Sequence, residues 1–332
     1  MKTAVIAFTK NGTKTAKLIC RGIGGEGYTK YQEQGFITFD SITSIIGEIF
    51  DKYEGIVFIG ACGIAVRLIA PYIKDKAHDP AVVVVDEKGE FVIPILSGHI
   101  GGANELAKNI SQITGGTAVI TTATDINKKF SVDTFAVKNN LYIGDTKVIK
   151  EISSRILNDE KIGFYSDYDL KNIPDCFKET GDIGICISDD DKKPFSITLN
   201  LKPKKYILGI GCRKDCENVE ESIDCFLKLN DCDINMILAV ATIDIKKEEK
   251  GIVDFCKKYR LPLCTFKAEE LMETVGDFTV SEFVKKIVGA DNVCERAVCA
   301  KGAKLTVKKT AIKGVTLALG KIKTEIDFLK GN

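Results

Sequence analysis

Short apolar runs alternate with helix-periodic segments through the first 130 residues, and this alternation limits the folds that the chain can adopt. Buried strands are predicted at 3–8, 55–60, 81–86, 91–96 and 117–121. Helices are predicted from about Lys14, over 41–52, from Ala61 and after Asn104. This spacing is typical of an open, mostly parallel sheet covered by helices. We therefore predict an N-terminal α/β domain over 1–130.

The pattern changes after this domain. A small middle α+β module is predicted over 131–205, with helices at 131–140 and 146–158 and strands at 161–166, 183–187 and 195–200. Within it, the polar run 188–194 predicts a solvated hairpin tip, and 202–205 a linker. Strands and helices then alternate again, which predicts a separate α/β C-terminal domain over 206–332.

Composition narrows the classes of function. The chain has 332 residues, 45% of them hydrophobic, enough for the cores of two or three domains. Its formal net charge of +1 creates no overall attraction to nucleic acid or membrane. No run reaches the about 18 apolar residues of a membrane span. Met1 leads directly into a strand rather than a signal peptide, so we expect a soluble, cytoplasmic protein.

Twelve cysteines raise the question of a metal site. None forms a CxxC pair, and the closest spacings are Cys212 with Cys216 and Cys294 with Cys299. Two such pairs can in principle make a four-sulfur site. Most of the twelve fall in apolar periodic segments, where a reduced cysteine packs as a small hydrophobe. We therefore favour packing over metal binding.

Residues 93–104 are the strongest candidate for chemistry. The predicted strand is followed by Ser97, by His99, which is one of only two histidines, by three glycines (Gly98, Gly101 and Gly102) and by Asn104. A glycine-rich corner between a strand and a helix exposes backbone N–H groups beside the positive end of the helix dipole. His99 can give or take a proton there near neutral pH. The alternative is a tight turn whose glycines only supply unusual backbone angles.

Two other segments follow predicted strands, at 60–63 and at 121–125. In open α/β sheets, ligands bind beyond the carboxyl ends of the strands. We therefore expect 60–63, 97–104 and 121–125 to lie close together at one edge of the first sheet.

Cationic side chains occur near predicted strand ends in both α/β domains. They are Arg67 and Lys76 in the first domain and Arg213 and Lys214 in the last. Such side chains suit carboxylates or phosphates. Arg296, beside Glu295, is either a further anion ligand or part of an internal ion pair. Together they indicate a bulky polyanionic ligand shared by the two domains.

Several well-known sequence motifs are not matched by this chain. The glycine-rich segment 22–27 follows a helix, and the third glycine position after Gly209 and Gly211 holds Lys214, so a nucleotide site is not indicated. Ser97 lies in Leu-Ser-Gly-His rather than Gly-x-Ser-x-Gly, which argues against an α/β-hydrolase elbow. Cys62 at a predicted helix start can act as a nucleophile, although packing is the simpler role.

These segments together resemble the CbiG family. In the N-terminal domain the resemblance is carried by 60–67 (Gly-Ala-Cys-Gly-Ile-Ala-Val-Arg), Lys76, 79–82 (Asp-Pro-Ala-Val), 96–104 and 121–125 (Thr-Thr-Ala-Thr-Asp). In the C-terminal domain it is carried by 209–214 (Gly-Ile-Gly-Cys-Arg-Lys), 281–283 (Ser-Glu-Phe) and 293–297 (Val-Cys-Glu-Arg-Ala). It covers essentially the whole chain.

The CbiG family comprises the cobalt-precorrin-5A hydrolases of anaerobic cobalamin biosynthesis. The resemblance implies hydrolytic opening of a δ-lactone on a cobalt-containing tetrapyrrole, then loss of the methylated meso carbon as acetaldehyde to give cobalt-precorrin-5B. We expect His99 to act as the base and the backbone of the corner glycines to stabilise the oxyanion. Proton transfer during the carbon–carbon cleavage is expected from Asp79, Asp125 or Glu295.

The residues at these segments also fit the binding of such a substrate. Contacts are expected from Ser97, Gly98, Gly101, Gly102, Asn104, Thr121 and Thr122, and carboxylate contacts from Arg67, Lys76, Arg213, Lys214 and Arg296. Cobalt arrives with the substrate, so we expect no metal or cofactor belonging to the enzyme. Its partner is the tetrapyrrole, with transient contacts to neighbouring pathway enzymes. The alternative is a non-catalytic corrinoid-binding or substrate-channelling protein, in which His99 only binds a carboxylate.

Overall fold

Residues 1–74, 79–99, 101–127 and 129–330 are described by a computed structural model. The chain separates into two units, Met1–Thr134 and Phe135–Asn332, each with its own hydrophobic cores. Within the described ranges, no helix is long and apolar enough to cross a membrane.

The first unit is built on one seven-stranded sheet. Its strands are β1 (Thr3–Ala7), β2 (Glu26–Thr29), β3 (Phe36–Thr38), β4 (Gly55–Ile59), β5 (Ala81–Val85), β6 (Phe91–Leu96) and β7 (Thr117–Ala118), in the order β3-β2-β1-β4-β5-β6-β7. Its helices are α1 (Lys10–Ile23), α2 (Ile42–Lys52), α3 (Cys62–Ile69), α4 (Ala103–Thr114) and α5 (Ala123–Ile126), and α6 (Val132–Lys138) follows.

Both faces of this sheet are buried, as the near-continuous apolar strands require. Alternate residues of β1 enter two different cores: Ala4 and Ile6 pack in one, and Val5 and Ala7 in the other. The predicted α/β organisation, with a mostly parallel first sheet, is confirmed.

Strand β6, which leads into the candidate segment 97–104, differs in direction from its neighbour β5. It runs antiparallel to β5, with Val85 opposite Val92 and Val82 opposite Leu96. The tight turn between them is stabilised by Asp86, whose side chain accepts the N–H of Lys88 at 2.8 Å. A connection this short can only return the chain antiparallel. Leu96 therefore lies at the edge where β4 and β5 begin.

This geometry overturns part of the predicted arrangement. Residues 121–125 do follow β7, which is parallel to β6, and they reach the same edge as 97–104. Residues 60–63 follow β4, whose last residue Ile59 is level with Val85, and so lie at the opposite edge. The prediction that all three segments meet is wrong for 60–63.

Strands β2 and β3 lie between α1 and α2, where no strand was predicted. Helix α1 ends at Gly24, which has a left-handed φ of 69°, and β2 begins at Glu26 in parallel register with β1. Helix α1 also starts earlier than predicted, because Thr9 caps it by accepting the N–H of Gly12 at 3.0 Å.

The second unit holds two five-stranded sheets and a short strand pair. The first sheet and its neighbours contain β8 (Leu141–Ile143), β9 (Ile162–Ser166), β10 (Leu170–Lys171), β11 (Phe177–Lys178), β12 (Ile183–Ile187), β13 (Ile197–Pro203) and helix α7 (Thr146–Leu157). The other contains β14 (Tyr206–Cys212), β15 (Ile237–Ile243), β16 (Leu263–Phe266), β17 (Lys304–Ile312), β18 (Val315–Lys321), and helices α8 (Val219–Leu229), α9 (Lys250–Tyr259), α10 (Ala268–Glu273), α11 (Glu282–Val288) and α12 (Cys294–Ala300). Strand β19 (Ile326–Asp327) follows.

The strand orders are β11-β9-β12-β13-β8 and β16-β15-β14-β18-β17. The predicted middle module and C-terminal α/β domain correspond to these two sheets. Strand β19 pairs with β10 of the middle module, and Phe328 stacks on Phe135 with ring centroids 4.3 Å apart. The end of the chain therefore packs on the middle module.

The predicted hairpin tip at 188–194 is a crossover. Strands β12 and β13 are parallel, with Ile183 opposite Ile197. Phe195 is only 6% exposed. Its ring atoms lie 2.4 and 2.5 Å from the positions that β-carbons on Gly163 and Gly184 would occupy. The connection between β12 and β13 therefore crosses back over the sheet, and the Phe195 ring packs on the two glycines.

The predicted linker at 202–205 is also ordered structure. Strand β13 extends to Pro203, and Lys205 is 1% exposed. The Lys205 ammonium is paired with Asp189 and donates to the Tyr168 hydroxyl at 3.2 Å. A buried lysine with these partners joins the middle module to the C-terminal sheet.

Candidate functional site

The chain passes from β6 into α4 through a corner closed by its own backbone. Ser97 has a φ of 55° and Gly102 a φ of 84°. The N–H groups of Gly102, Ala103 and Asn104 donate to the carbonyls of His99, Ser97 and Gly98 at 3.0, 3.1 and 3.0 Å. A β-carbon on Gly101 would lie 2.4 Å from that of Ser97, so only glycine fits there.

The imidazole of His99 lies among three polar side chains from two segments. Its Nε2 is 2.7 Å from Oδ2 of Asp125 and 3.3 Å from Oγ1 of Thr124. Its Nδ1 is 3.3 Å from Oγ of Ser131. The side chains of His99 and Asp125 are 16% and 28% exposed, so the pair is sheltered but reachable from solvent.

Asn104 orients the carboxylate that faces His99. It is buried, and its Nδ2 donates to Asp125 Oδ2 at 3.0 Å and to Thr122 Oγ1 at 3.1 Å. A carboxylate at Nε2 favours the tautomer with the hydrogen on that nitrogen, because the hydrogen then lies between the ring and the negative charge. Nδ1 is left as the proton acceptor. This arrangement is suited to acid–base chemistry.

The structure gives several predicted residues a supporting role. Ser97 Oγ donates to the carbonyl of Asp79 at 3.0 Å, and the buried carboxylate of Asp79 accepts the N–H of Lys74 at 2.8 Å. Both contacts hold the shape of the corner.

The Gly102 N–H, expected at an oxyanion, is committed to the carbonyl of His99. Thr121 is exposed just before α5, and Lys76 lies outside the described residues.

Arg67 is exposed on α3. Its Nη1 lies 3.8 Å from the position that a β-carbon on Gly63 would occupy, so the guanidinium points toward the start of α3. That start follows the carboxyl end of β4, at the edge opposite His99. The structure therefore does not bring Arg67 to the His99 cluster.

In the second unit, Glu295 and Arg296 are engaged in internal contacts. Glu295 is fully buried, and its carboxylate accepts the N–H and hydroxyl of Thr279 and the N–H of Lys309 at 2.7, 2.9 and 2.6 Å. Arg296 pairs with Asp291 through two hydrogen bonds of 2.6 and 3.0 Å and lies 4.5 Å over the ring of Phe278. These contacts favour the internal ion pair over an anion ligand, and a structural role for Glu295.

Arg213 and Lys214 remain available to a ligand. Both are exposed in the loop that follows β14 and precedes α8. This position, beyond a central strand of the second unit's larger sheet, agrees with the predicted strand-to-helix junction.

The sequence predictions missed Ser131 and gave no individual role to Thr124. Ser131 directly precedes α6, where it accepts the N–H of Thr134 at 3.4 Å. A serine before a helix has a sufficient local explanation as a cap, which hides any second role. Ser131 lies 32 residues after His99, and this separation in sequence gives no indication that the two side chains meet.

Burial sets the character of several of the cysteines. All twelve are free, and burial raises the pKa of the Cys212 thiol to about 11 and that of Cys256 to about 12. In the part of the chain that the structure describes, no three His, Cys, Asp or Glu side chains come together as metal ligands.

Fold and site together define an α/β protein that carries a histidine–carboxylate pair at a strand-to-helix corner. Three family models match it in succession: Cobalamin synthesis G N-terminal over 44–125, Cobalamin biosynthesis central region over 130–203, and Cobalamin synthesis G C-terminus over 206–320. The cobalt-precorrin-5A hydrolase of Salmonella typhimurium is 33% identical, with 96% of this chain and 97% of that protein covered. The chain therefore belongs to the CbiG family, as the resemblance predicted.

Other proteins are similar over most of the chain. The cobalt-precorrin-5A hydrolase of Priestia megaterium is 30% identical, with 89% of this chain and 87% of that protein covered. A solved structure of a cobalamin biosynthesis protein G homologue from Sulfolobus solfataricus covers 97% of both chains, with 24% identity and a TM-score of 0.44.

Proposed function

We propose that this protein is a cobalt-precorrin-5A hydrolase, which opens the δ-lactone of cobalt-precorrin-5A and releases acetaldehyde to give cobalt-precorrin-5B. The observation that carries the proposal is the match along nearly the whole chain to relatives of that name, at 33% identity over 96% of its length. The His99–Asp125 pair adds a group able to move protons.

Lactone hydrolysis needs a base for the attacking oxygen and hydrogen-bond donors for the oxyanion. His99 supplies the base at Nδ1, because Asp125 holds the hydrogen at Nε2. The backbone N–H groups of Gly98 and Gly101 are the oxyanion donors in this proposal. Opening of the lactone frees a hydroxyl group on the methylated meso carbon. Removal of its proton as the bond from that carbon to the macrocycle breaks releases acetaldehyde, and the conjugated macrocycle takes up the electron pair of that bond.

The substrate carries several propionate and acetate groups, which need cations. Arg213 and Lys214 suit this role because both are exposed. Cobalt enters as part of the substrate, so we propose no metal or cofactor belonging to the enzyme. Twelve free thiols suit the reducing cytoplasm, where we place the reaction and transient contacts with neighbouring pathway enzymes.

Anaerobic incubation of the full chain with cobalt-precorrin-5A, followed by an acetaldehyde assay, tests the function. We expect acetaldehyde in proportion to substrate consumed. Binding of the corrinoid without acetaldehyde would contradict the proposal and would instead support a corrinoid-binding or substrate-channelling protein.

A further inference from the structure

We propose that Ser131 is the nucleophile of the lactone hydrolysis and forms a transient ester with the lactone carbonyl carbon. This inference rests on the proposed function and identifies the oxygen that attacks. It follows from the hydrogen-bond partners of the two ring nitrogens of His99.

Both ring nitrogens of His99 face a partner. Nε2 lies 2.7 Å from a carboxylate oxygen of Asp125, so it carries the hydrogen, since its lone pair would otherwise face a negative charge. In the neutral ring Nδ1 is then an acceptor, and it lies 3.3 Å from Ser131 Oγ. Nδ1 can therefore accept the Ser131 hydroxyl hydrogen, with Thr134 Oγ1 as the other acceptor at 3.1 Å. In the proposed reactive arrangement, the Ser131 hydrogen points at Nδ1.

Thr134 completes the surroundings of the serine oxygen. Its Oγ1 is 3.1 Å and its backbone N–H 3.4 Å from Ser131 Oγ. When Nδ1 carries a proton, the Ser131 hydroxyl can turn and donate to Thr134 Oγ1 instead. The serine thus has a hydrogen-bond partner in both protonation states of His99.

The same geometry disfavours direct attack by water. Nε2 is committed to Asp125, so a water molecule could be deprotonated only at Nδ1, and Ser131 already faces that nitrogen. The order Asp125, His99, Ser131 is that of a nucleophile, a base and an orienting carboxylate, a constellation recognised by roles rather than by position in sequence.

The step balances without an oxidant or reductant. Ser131 Oγ bonds to the lactone carbonyl carbon as its proton passes to Nδ1. The ring carbon–oxygen bond then breaks, and the departing oxygen takes that proton to become the free hydroxyl. Water next attacks the ester, gives its proton to Nδ1, and Ser131 leaves with that proton. One water is consumed, and the serine is regenerated.

The first test uses a fluorophosphonate probe on the full chain, so it does not depend on the tetrapyrrole. Attack by Oγ on phosphorus expels fluoride and leaves a stable adduct that peptide mass spectrometry can locate. We expect labelling at Ser131, slowed by about 10²-fold or more in His99→Ala. Ser111→Ala is the matched control, because Ser111 is also half-buried but donates to the carbonyl of Lys108 within α4. Labelling of Ser131 at an equal rate in His99→Ala would contradict the proposal.

The second test measures acetaldehyde release by Ser131→Ala, with circular dichroism as the check of folding. We expect a loss of about 10²-fold or more relative to Ser111→Ala. Acetaldehyde release at the wild-type rate would refute the nucleophilic role of Ser131 and would leave the proposed function intact. Conversely, His99-dependent labelling of Ser131 in a wild-type protein that releases no acetaldehyde would support the nucleophile and refute the proposed function.

Discussion

Asn104 illustrates how one buried amide sets the chemistry of its neighbours. It was predicted as a substrate contact, but its side chain donates to Asp125 and Thr122. The residue type and position could be predicted from sequence because the Gly-Gly-Ala-Asn run marks the corner. Its partner could not, since Asp125 is 21 residues away and reaches the corner only through the fold.

We expect Asn104→Ala to lower kcat by about 10–100-fold, because a hydrogen bond to a charged group contributes about 1.5–3 kcal/mol. The loosened Asp125 would no longer hold the tautomer of His99. Acetaldehyde release at saturating substrate measures the effect. Asn127→Ala is the control. Asn127 is exposed, and within the described residues its side chain bonds only the carbonyl of Ala123. Equal rates for the two variants would refute this role.

Arg296 shows the limit of residue type as evidence. From sequence it was either an anion ligand or half of an ion pair, and only the fold reveals Asp291 five residues earlier on its guanidinium. Arginine at a strand-rich edge and arginine in a buried pair look the same in sequence.

Arg296→Lys should destabilise the protein by about 3 kcal/mol, because lysine cannot reproduce the paired hydrogen bonds of a buried guanidinium. Urea unfolding followed by circular dichroism measures the change. Arg155→Lys is a matched control: Arg155 also makes two 2.9 Å hydrogen bonds to one carboxylate, Asp182, but at the surface. It should cost no more than about 1 kcal/mol. Similar losses for both would contradict a buried structural role for Arg296.

At the scale of elements, strands were easier to predict than their directions. The apolar runs of β4, β5 and β6 were all found, but the sheet edge at which each one ends depends on the connection between them. Only a short segment separates the predicted strands 81–86 and 91–96, and this shortness is the signal that β6 must run antiparallel. That single reversal separates 60–63 from the His99 corner.

The two edges can be distinguished with glycine substitutions. Gly101→Ala should abolish most turnover, because its β-carbon would overlap that of Ser97 and displace His99. Gly63→Ala should leave turnover within about twofold and favour α3, since alanine is the better helix former by about 0.5–1 kcal/mol. Acetaldehyde release by the two variants is the measurement. A larger loss in Gly63→Ala would place the chemistry at the other edge of the sheet.

At the scale of the whole molecule, the order of the three modules could be predicted, but their connections could not. The segment 202–205 is rich in lysine and resembles a linker, yet Lys205 is buried against Asp189 and Tyr168. A hydrophilic sequence does not reveal that its charge has a distant partner. The pairing of β10 with β19 is likewise too short to leave a sequence pattern.

The Lys205–Asp189 pair predicts a pH dependence. Burial raises the pKa of Asp189, but hydrogen bonds from Lys205 and Tyr168 outweigh it, so the pKa lies below its usual value. A depressed carboxyl pKa stabilises the fold above the unfolded-state pKa of about 3.9, and this stability is lost as pH falls through the folded value. Asp189→Asn should therefore cost about 1–2 kcal/mol at pH 7, less than a fully buried pair because Asp189 is 44% exposed.

Urea unfolding at pH 7 and below pH 4 checks this prediction. The difference between wild type and Asp189→Asn should shrink at the lower pH, while the exposed neighbour Asp190→Asn should show little effect at either. A difference that grows as pH falls would contradict the sign of the linkage.

The His99→Ala variant tests the central claim, that the His99 cluster performs the hydrolysis, most directly. Corrinoid binding and acetaldehyde release are measured on the same anaerobic samples, beside wild type. We predict that binding is retained, because the role of His99 is proton transfer rather than charge neutralisation. Acetaldehyde release should fall by about 10²–10⁴-fold, the usual contribution of a general base. Near-normal release of acetaldehyde by His99→Ala would contradict the account.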